Sequence, residues 1–243
     1  MRVTRLAYKL HRYLAYLMFA QLTLWIVGGV IFAVVPFEAI TKSGAVATKP
    51  GVTLPAGWAR HLIAVDMAGA SKVEAFASAH GPALRVQGKD ASVALLAADG
   101  RPVPATNAAA IARFAASVYH GDGRLVAVRK IERPELRLGI VDELYGQTGV
   151  WQARFDDAYG TRLYFAGDSG EYLKARNDYW VLYDLFWRLH VMDYQEGENF
   201  NNWLLRVAAI ASLLFAASGL VLSWNAARRA LSRRQPALRV ARA

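Results

Sequence analysis

The chain has 243 residues, 55% of them hydrophobic, and no cysteine. The lack of cysteine excludes disulfide frameworks, cysteine-ligated zinc, thiolate-bound iron–sulfur clusters and thioether-attached haem. The formal net charge of +10 comes from the two ends, since residues 1–12 and 225–243 are rich in Lys and Arg and contain no acid. The rest of the chain is electrically balanced, which argues against a nucleic-acid partner.

An uncharged stretch at residues 13–37 predicts the first membrane-spanning helix, because about 20 apolar residues cross a bilayer. The alternative is a cleaved signal peptide. Its apolar core is usually only ~7–15 residues long, and no convincing cleavage site follows Pro36. Gln21 and Thr23, polar residues in mid-span, are expected to hydrogen-bond between helices.

Residues 203–224 predict a second span, bracketed by Trp203 and Trp224 where indoles settle at membrane interfaces. Its one charge, Arg206, lies within a turn of its start, where snorkelling to the headgroups is favoured over an intramembrane function. Basic residues beside spans stay on the cytoplasmic side. We therefore expect both tails (residues 1–12 and 225–243) in the cytoplasm of a bacterium, and residues 38–202 on the periplasmic side of the inner membrane.

The region between the spans begins with a Gly-, Pro- and Thr-rich stretch, residues 38–57, that predicts a linker. A first unit follows, with a short helix at 71–81 capped by Ser71 and strands at 83–87 and 91–97. A second unit repeats this order. Its predicted elements are a helix at 108–119, capped by Thr106 or Asn107, and a strand at 124–131.

After a predicted loop at 132–148, three strands are expected to form an antiparallel meander at 150–155, 161–165 and 171–175. Alternation places Trp151, Ala153 and Phe155 on one face of the first strand, and Thr161, Leu163 and Phe165 on one face of the second. The predicted fold class is therefore an α+β extracytoplasmic domain of helix-plus-antiparallel-sheet units, carried on two transmembrane helices.

Several segments after residue 106 carry a family resemblance. They are VWQARF, the turn DDAYGT (156–161), LYF, the turn and strand GDSGEYL (167–173), DYWVLYDLFWRLHVMDY and FNNWLLRVAAIASLLFAASGL. Residues 106–224 resemble a PepSY domain joined to a PepSY-associated transmembrane helix, and residues 5–37, with His11-Arg12, resemble the opening helix of that family. The resemblance implies a membrane family often associated with iron uptake.

Some larger members of that family are haem-containing reductases of ferric siderophores, and other PepSY domains resemble propeptides of metallopeptidases. This chain departs from the larger members by having two predicted spans instead of four or more. That departure argues against a complete electron path within one chain.

Two of the five histidines are candidate ligands for a haem b. His11 lies at the cytoplasmic mouth of the first span, and His190 lies in an aromatic segment before the second. In a helix over 178–190, Tyr183, Phe186, Trp187 and His190 share one face. Such a face suits either an interfacial anchor or a wall for a flat ring.

A single chain is not expected to hold a bis-histidine haem, because a helix of ~25 residues separates the two histidines by over ~30 Å. A two-fold homodimer could pair His11 with His11 and His190 with His190 inside a four-helix bundle. Small residues would allow that packing, and they are Gly28, Gly29, Ala208, Ser212 and Ala216.

No catalytic or metal-binding motif is present in the sequence, and the remaining histidines and acidic clusters are expected to be solvated or in turns. Two functions stay open. The first is haem-dependent electron transfer to periplasmic ferric chelates by a dimer or a complex subunit. The second is a non-enzymatic, membrane-tethered module that binds a peptide, a peptidase or a larger membrane (respiratory) complex.

Overall fold

The computed structural model describes residues 2–41, 46–62, 69–90 and 92–240. These residues form two compact units. The helical unit comprises residues up to 31 together with those from 186 onward, and the central unit comprises residues 32–185. The protein is α+β, with a long apolar helix near each end and antiparallel sheets between them in the sequence.

Both long helices are long enough and apolar enough to cross a membrane. They are α1 (Arg2–Val34) and, numbered in chain order, α6 (Trp203–Val240). The apolar segments Thr4–Val34 and Trp203–Ser232 each contain an 18-residue stretch with a mean hydropathy of 2.1. Helix α1 ends three residues before the apolar stretch does, because Pro36 disfavours helical backbone at the residue that precedes it.

Within the helical unit, α1 and α6 pack antiparallel. Asn225 Nδ2 lies 3.5 Å from Thr4 Oγ1, His11 Nδ1 lies 3.1 Å from Ser218 Oγ, and Met18 shares a buried cluster with Ala208 and Ala211. The contacts advance by seven residues along α1 while they retreat by seven along α6. This heptad spacing is the packing pattern of a left-handed coiled coil.

Among its described residues, the central unit contains nine strands, three whole helices, the last three residues of α1 and the start of α5. A three-stranded sheet has the order β1-β2-β3, and a four-stranded sheet has the order β4-β7-β8-β9. The strands are β1 (Ala70–Ser78), β2 (Gly81–Gly88), β3 (Val93–Ala97), β4 (Leu125–Ile131), β5 (Leu136–Arg137), β6 (Val141–Asp142), β7 (Val150–Phe155), β8 (Arg162–Phe165) and β9 (Tyr172–Arg176). The helices are α2 (Phe37–Thr41), α3 (Ala59–Leu62), α4 (Ala108–Val118) and the start of α5 (Asp178–Val191).

The helix predicted at 71–81 is wrong, because residues 71–78 belong to strand β1 and the next residues turn into β2. Every residue from Val73 to Ser78 pairs with β2, with Phe76 opposite Ala83 and Ser78 opposite Gly81. The pairing of the two strands in this hairpin outweighs the helix propensity of these residues. Gly81 adopts a positive φ of 102° at the turn. The first unit is therefore a three-stranded meander and not a second helix-plus-hairpin unit.

The second unit forms as predicted. Asn107 caps α4 by accepting a hydrogen bond from the backbone N–H of Ala110. Helix α4 then packs Ile111 and Ala115 on one face of the four-stranded sheet, against Ala153, Phe155, Leu163 and Phe165. This packing covers one face of the sheet with apolar side chains. The polar residues that alternate with them along the strands lie on the opposite face.

Part of the predicted linker at 38–57 belongs to folded structure. Ile40 is buried against Val141 and Trp180, and Ala47 forms a β-bridge with Tyr119. Residues 42–45 of this stretch lie outside the described residues. The predicted loop at 132–148 likewise contains the small β5-β6 hairpin, which delivers acidic side chains to the sheet.

Candidate functional site

The face of the four-stranded sheet opposite α4 carries a row of three arginines. Arg154 on β7 is paired with Arg162 on β8, and Arg162 is paired with Arg176 on β9. Directly opposed like charges destabilise a sheet unless other groups neutralise them. Each arginine in this row has a different electrostatic environment, and the differences define the candidate site.

Arg162, the middle arginine, is neutralised by buried carboxylate. Its side chain is 4% exposed and that of Glu143 is 6% exposed, with Nη2 2.7 Å from Oε1. Arg162 Nε lies 3.0 and 3.1 Å from the two carboxylate oxygens. Burial opposes the charge on Arg162, but the hydrogen bonds and charges of Glu143 and Asp178 outweigh it and raise the pKa of Arg162.

Asp178 provides the second carboxylate on Arg162, at 2.8 Å from Nη1. It lies in the first turn of α5, where Asn177 caps the helix by accepting from the backbone N–H of Trp180. A carboxylate is favourable there because the helix N-terminus is positive. The helix start thus places an acid against the sheet face.

Arg176, the third arginine, is held by aromatic rings. Its guanidinium carbon lies 3.9 Å from the centroid of the Trp180 ring and 5.9 Å from that of Tyr145. Such stacking suits a weakly hydrated guanidinium. Burial is the main influence on this group, and it lowers the pKa of Arg176.

A hydrogen-bond chain continues across the face to β4. Tyr164 donates to Glu143 at 2.8 Å and accepts from the amide of Gln152 at 2.8 Å, and the Gln152 carbonyl accepts from Arg129 Nε at 2.9 Å. Burial, followed by the charge of Glu143, raises the pKa of Tyr164 well above its usual value. The Tyr164 hydroxyl therefore stays protonated and available as a donor.

Arg154 differs from the other two arginines in the row. It is exposed, and no carboxylate among the described residues pairs with it. It lies at the edge of a cavity of about 300 Å³ between the sheet face and the segment with β5 and β6. The lining comprises Ala127, Arg129, Ile131, Glu135, Arg137, Asp142, Glu143, Leu144, Gln152, Arg154, Arg162 and Tyr164.

The cavity lining has one more guanidinium than carboxylate. Glu135 lies 2.5 Å from Arg129, and Asp178 lies 3.2 Å from Arg137. The carboxylate of Asp142 accepts from the backbone N–H groups of Leu144 and Gly146. Arg154 is therefore the one arginine of the lining that has no carboxylate partner among the described residues, and its planar fork matches a carboxylate.

The predicted cofactor residue His11 lies in the α1–α6 seam. Its ring stacks on Phe215 with centroids 4.2 Å apart, and its Nδ1 lies 3.2 Å from the Phe215 carbonyl oxygen. A Cβ at Gly219 would come within 3.2 Å of the His11 ring, so the absence of a side chain at Gly219 makes room for it. Within the described residues, Nε2 of His11 makes no hydrogen bond.

His190 lies near the end of α5, between two indoles. Its ring centroid is 5.6 Å from that of Trp25 and 6.4 Å from that of Trp187. Tyr183 packs against Phe32 at 4.8 Å, while Phe186 is half-buried. The four aromatic-face residues are thus divided between the central unit, which holds Tyr183, and the helical unit, which holds Phe186, Trp187 and His190.

The small residues predicted for helix packing differ in burial. Ala208 and Gly28 are buried, and Ser212 is half-buried. Gly29 and Ala216 are exposed in the single chain, and a Cβ at Gly29 would meet nothing within 4 Å.

The two polar residues in mid-span have different partners. Gln21 donates to the Leu189 carbonyl of α5 at 3.0 Å, which confirms the expected bond between helices. Thr23 bonds to Phe19 of its own helix, so the same expectation was wrong for Thr23.

Within the described part of the chain, no group of three or more His, Asp or Glu residues has the arrangement of a metal site. Comparison of the chain with protein-family models, with curated proteins and with solved structures found no match.

Sequence reasoning missed the arginine site. The spacing of Gln152 and Arg154 on one strand and Arg162 and Tyr164 on the next was a usable signal, since both pairs alternate with the predicted core residues. The register that opposes Arg154 to Arg162, and the contribution of Glu143 from a predicted loop, are visible only in the folded chain.

Proposed function

We propose that the protein is a membrane-tethered binding module of the PepSY type, anchored in a bacterial inner membrane by α1 and α6. Both termini face the cytoplasm and residues 38–202 face the periplasm. In this proposal, the cavity on the sheet face holds a small ligand that presents a carboxylate, either the C-terminal residue of a peptide or a small organic acid. The module binds this ligand and does not transform it.

The observation that carries this proposal is the unneutralised guanidinium of Arg154 at the edge of a cavity in which the other arginines have acidic partners. A ligand carboxylate would supply the missing negative charge and accept two parallel N–H bonds. The cavity volume of about 300 Å³ is at the lower end of the range for small-molecule sites, which favours one residue or a small acid.

The buried network beneath the cavity would keep the site in shape. Arg162 and Tyr164 both donate to Glu143, and Gln152 donates to Tyr164, so these side chains lose little further freedom when a ligand enters. Preorganisation of this kind favours affinity because ordering costs are already met in the free protein.

The proposal is tested by calorimetric titration of the full chain in lipid nanodiscs with N-acetyl-dialanine, its C-terminal amide, succinate and inorganic phosphate. We expect saturable binding of either N-acetyl-dialanine or succinate, no binding of the amide, and loss of binding in Arg154→Gln. Arg113→Gln, which removes an exposed arginine on α4 outside the cavity, should bind as the wild type does.

The pattern of probes distinguishes the ligand sources. Binding of N-acetyl-dialanine but not succinate indicates a peptide C-terminus, and the reverse indicates an organic acid. Failure of every carboxylate to bind at millimolar concentration, or equal binding by Arg154→Gln, would overturn the proposal.

Haem-dependent electron transfer is a second candidate, which the geometry of His11 favours. Its Nδ1 faces a hydroxyl and a carbonyl oxygen, and its Nε2 has no hydrogen-bond partner among the described residues. Metal-ligating histidines are commonly oriented in this way by a second hydrogen bond. These residues fit a haem b held by His11, and His190 would hold a second haem. Both haems would require a homodimer or a complex with another membrane subunit. Each haem would carry single electrons.

The visible absorption spectrum of the purified chain decides this second candidate. Growth with ample iron and haem should yield a coloured protein with a reduced-minus-oxidised spectrum typical of haem b. The spectrum should be weakened in His11→Ala, which removes the ligand of one haem, and lost in His11→Ala/His190→Ala. It should be kept in His80→Ala, which changes an exposed histidine of the central unit. A colourless wild-type preparation would eliminate haem and leave the binding module unaffected.

A further inference from the structure

A second cavity, of about 560 Å³, lies between the ends of α1 and α6 in the helical unit. It is lined by Thr4, Arg5, Asn225, Arg228, Arg229 and Ser232. Three of these six residues are arginines, and the other three carry hydroxyl or amide groups. All six lining residues therefore carry a polar group, and half of them are basic.

No carboxylate of either helix can neutralise these arginines. The first acidic residue in the sequence is Glu38, and none occurs from residue 203 onward. Arg229 Nε donates to the backbone oxygen of Asn225 at 3.1 Å, a neutral partner. Within the described parts of α1 and α6, the cavity therefore concentrates positive charge, which attracts an anion.

The position of the cavity along the helices matches the headgroup region of a bilayer. It begins directly after Trp224, which is 66% exposed and marks an interface at the end of the apolar segment. On α1, Arg5 precedes Tyr8 and Tyr13, whose rings lie 5.9 and 5.4 Å from the Arg12 guanidinium. Leu6, beside Arg5, is 68% exposed and offers an apolar surface for an acyl chain.

We propose that this cavity binds the phosphate headgroup of an anionic phospholipid. Guanidinium groups pair with phosphate oxygens in parallel N–H bonds, and basic pockets between membrane helices select headgroups whose phosphate charge is not balanced by an amine. Because three arginines converge, a lipid with two phosphates, such as cardiolipin, binds more tightly than one with a single phosphate, such as phosphatidylglycerol. Phosphatidylcholine binds least.

Native mass spectrometry of the full chain in detergent micelles, with each of these three lipids added, tests the site. The test variant is Arg228→Gln/Arg229→Gln. The matched control is Arg12→Gln, which removes an exposed basic residue of α1 outside the cavity. We expect bound cardiolipin in the wild type and in Arg12→Gln, and a loss of affinity of roughly tenfold or more in the double variant.

Three outcomes would overturn the proposal. Equal loss in Arg12→Gln and the double variant would mean that the basic tails attract lipid without a site. Retention of phosphatidylcholine equal to that of cardiolipin would mean that the negative charge of the headgroup does not determine binding. Complete displacement of cardiolipin by inorganic phosphate would assign the cavity to a free phosphate. All of these variants expose polar residues at a helix surface and should fold, which circular dichroism checks.

Discussion

Arg154 and Arg162 lie directly opposite each other on the neighbouring strands β7 and β8. Arg162 has Glu143 and Asp178 as partners, whereas Arg154 has no carboxylate among the described residues. Because these carboxylates neutralise Arg162, the charge of Arg154 is the one in this pair that has no partner in the free protein. A binding site for an anionic ligand requires such a charge, and this leads to the first prediction.

Arg154→Gln should change the free energy of unfolding of the ligand-free protein by at most about 0.5 kcal/mol, because Arg154 is exposed and the opposite Arg162 is already neutralised. The same change should abolish carboxylate binding. Differential scanning fluorimetry of the full chain, with and without succinate or N-acetyl-dialanine, measures both effects. Marked destabilisation of the ligand-free Arg154→Gln protein would show that Arg154 has a structural role.

Glu143→Gln should destabilise the central unit strongly. It would leave the guanidinium of Arg162 buried with only Asp178 as a charged partner, and breaking a buried pair costs about 3–5 kcal/mol. Glu135→Gln is the matched control, because its pair with Arg129 is half exposed and should contribute at most about 1 kcal/mol. Thermal unfolding of the full chain should separate the two variants, and similar melting temperatures would contradict the buried network.

Gly160→Ala should be more destabilising than Gly139→Ala. Both glycines have a positive φ, 64° and 82°, so each substitution strains the backbone by about 1–2 kcal/mol. Only at position 160 would the new Cβ also come within 2.7 Å of a carboxylate oxygen of Asp178; at position 139 it would meet nothing. The difference between the two melting temperatures measures how closely the turn fits the start of α5.

Asp157 should make the stability of the module depend on pH. Burial opposes its ionisation, but hydrogen bonds from Thr161, Tyr119 and Tyr159 prevail and hold the pKa of Asp157 below its ordinary value. Burial, aided by Asp157, raises the pKa of Tyr119 to about 12, so its hydroxyl remains a donor at neutral pH.

Because the folded-state pKa of Asp157 is lowered, its contribution to stability is fully present above about pH 4 and is lost as the pH falls through the folded-state pKa. Asp157→Asn should therefore be less stable than the wild type at pH 7, and the difference should shrink toward pH 3. The exposed Asp122→Asn is the control and should show no such convergence. A stability gap that is constant with pH would contradict the assignment.

The two long apolar helices and the second unit were predictable from the sequence because each depends on a strong local signal. A long uncharged stretch favours a helix over other structures. The helix cap at Asn107 and the alternation of Trp151, Ala153 and Phe155 are signals that span only a few residues. The error at 71–81 has the opposite cause. There, helix propensity and strand pairing compete, and pairing with residues 81–88 decides the outcome.

The candidate site was less accessible to sequence reasoning because it depends on long-range pairing. Glu143 reaches Arg162 across 19 positions, and Arg137 reaches Asp178 across 41. No local pattern marks either partner. Likewise, heptad spacing on α1 and α6 is readable, but the register that puts His11 beside Ser218 and Gly219 follows only from packing of the two helices.

Both candidate functions require the central unit to lie across a membrane from the two termini, and single-cysteine labelling tests this requirement most directly. The chain contains no native cysteine, so Ala158→Cys in an exposed turn and Ala227→Cys in the exposed part of α6 each provide one reactive thiol. With a membrane-impermeant maleimide on intact spheroplasts, we predict that Ala158→Cys is labelled at once and Ala227→Cys only after lysis. Labelling of Ala227→Cys in intact spheroplasts, or protection of Ala158→Cys, would contradict the account.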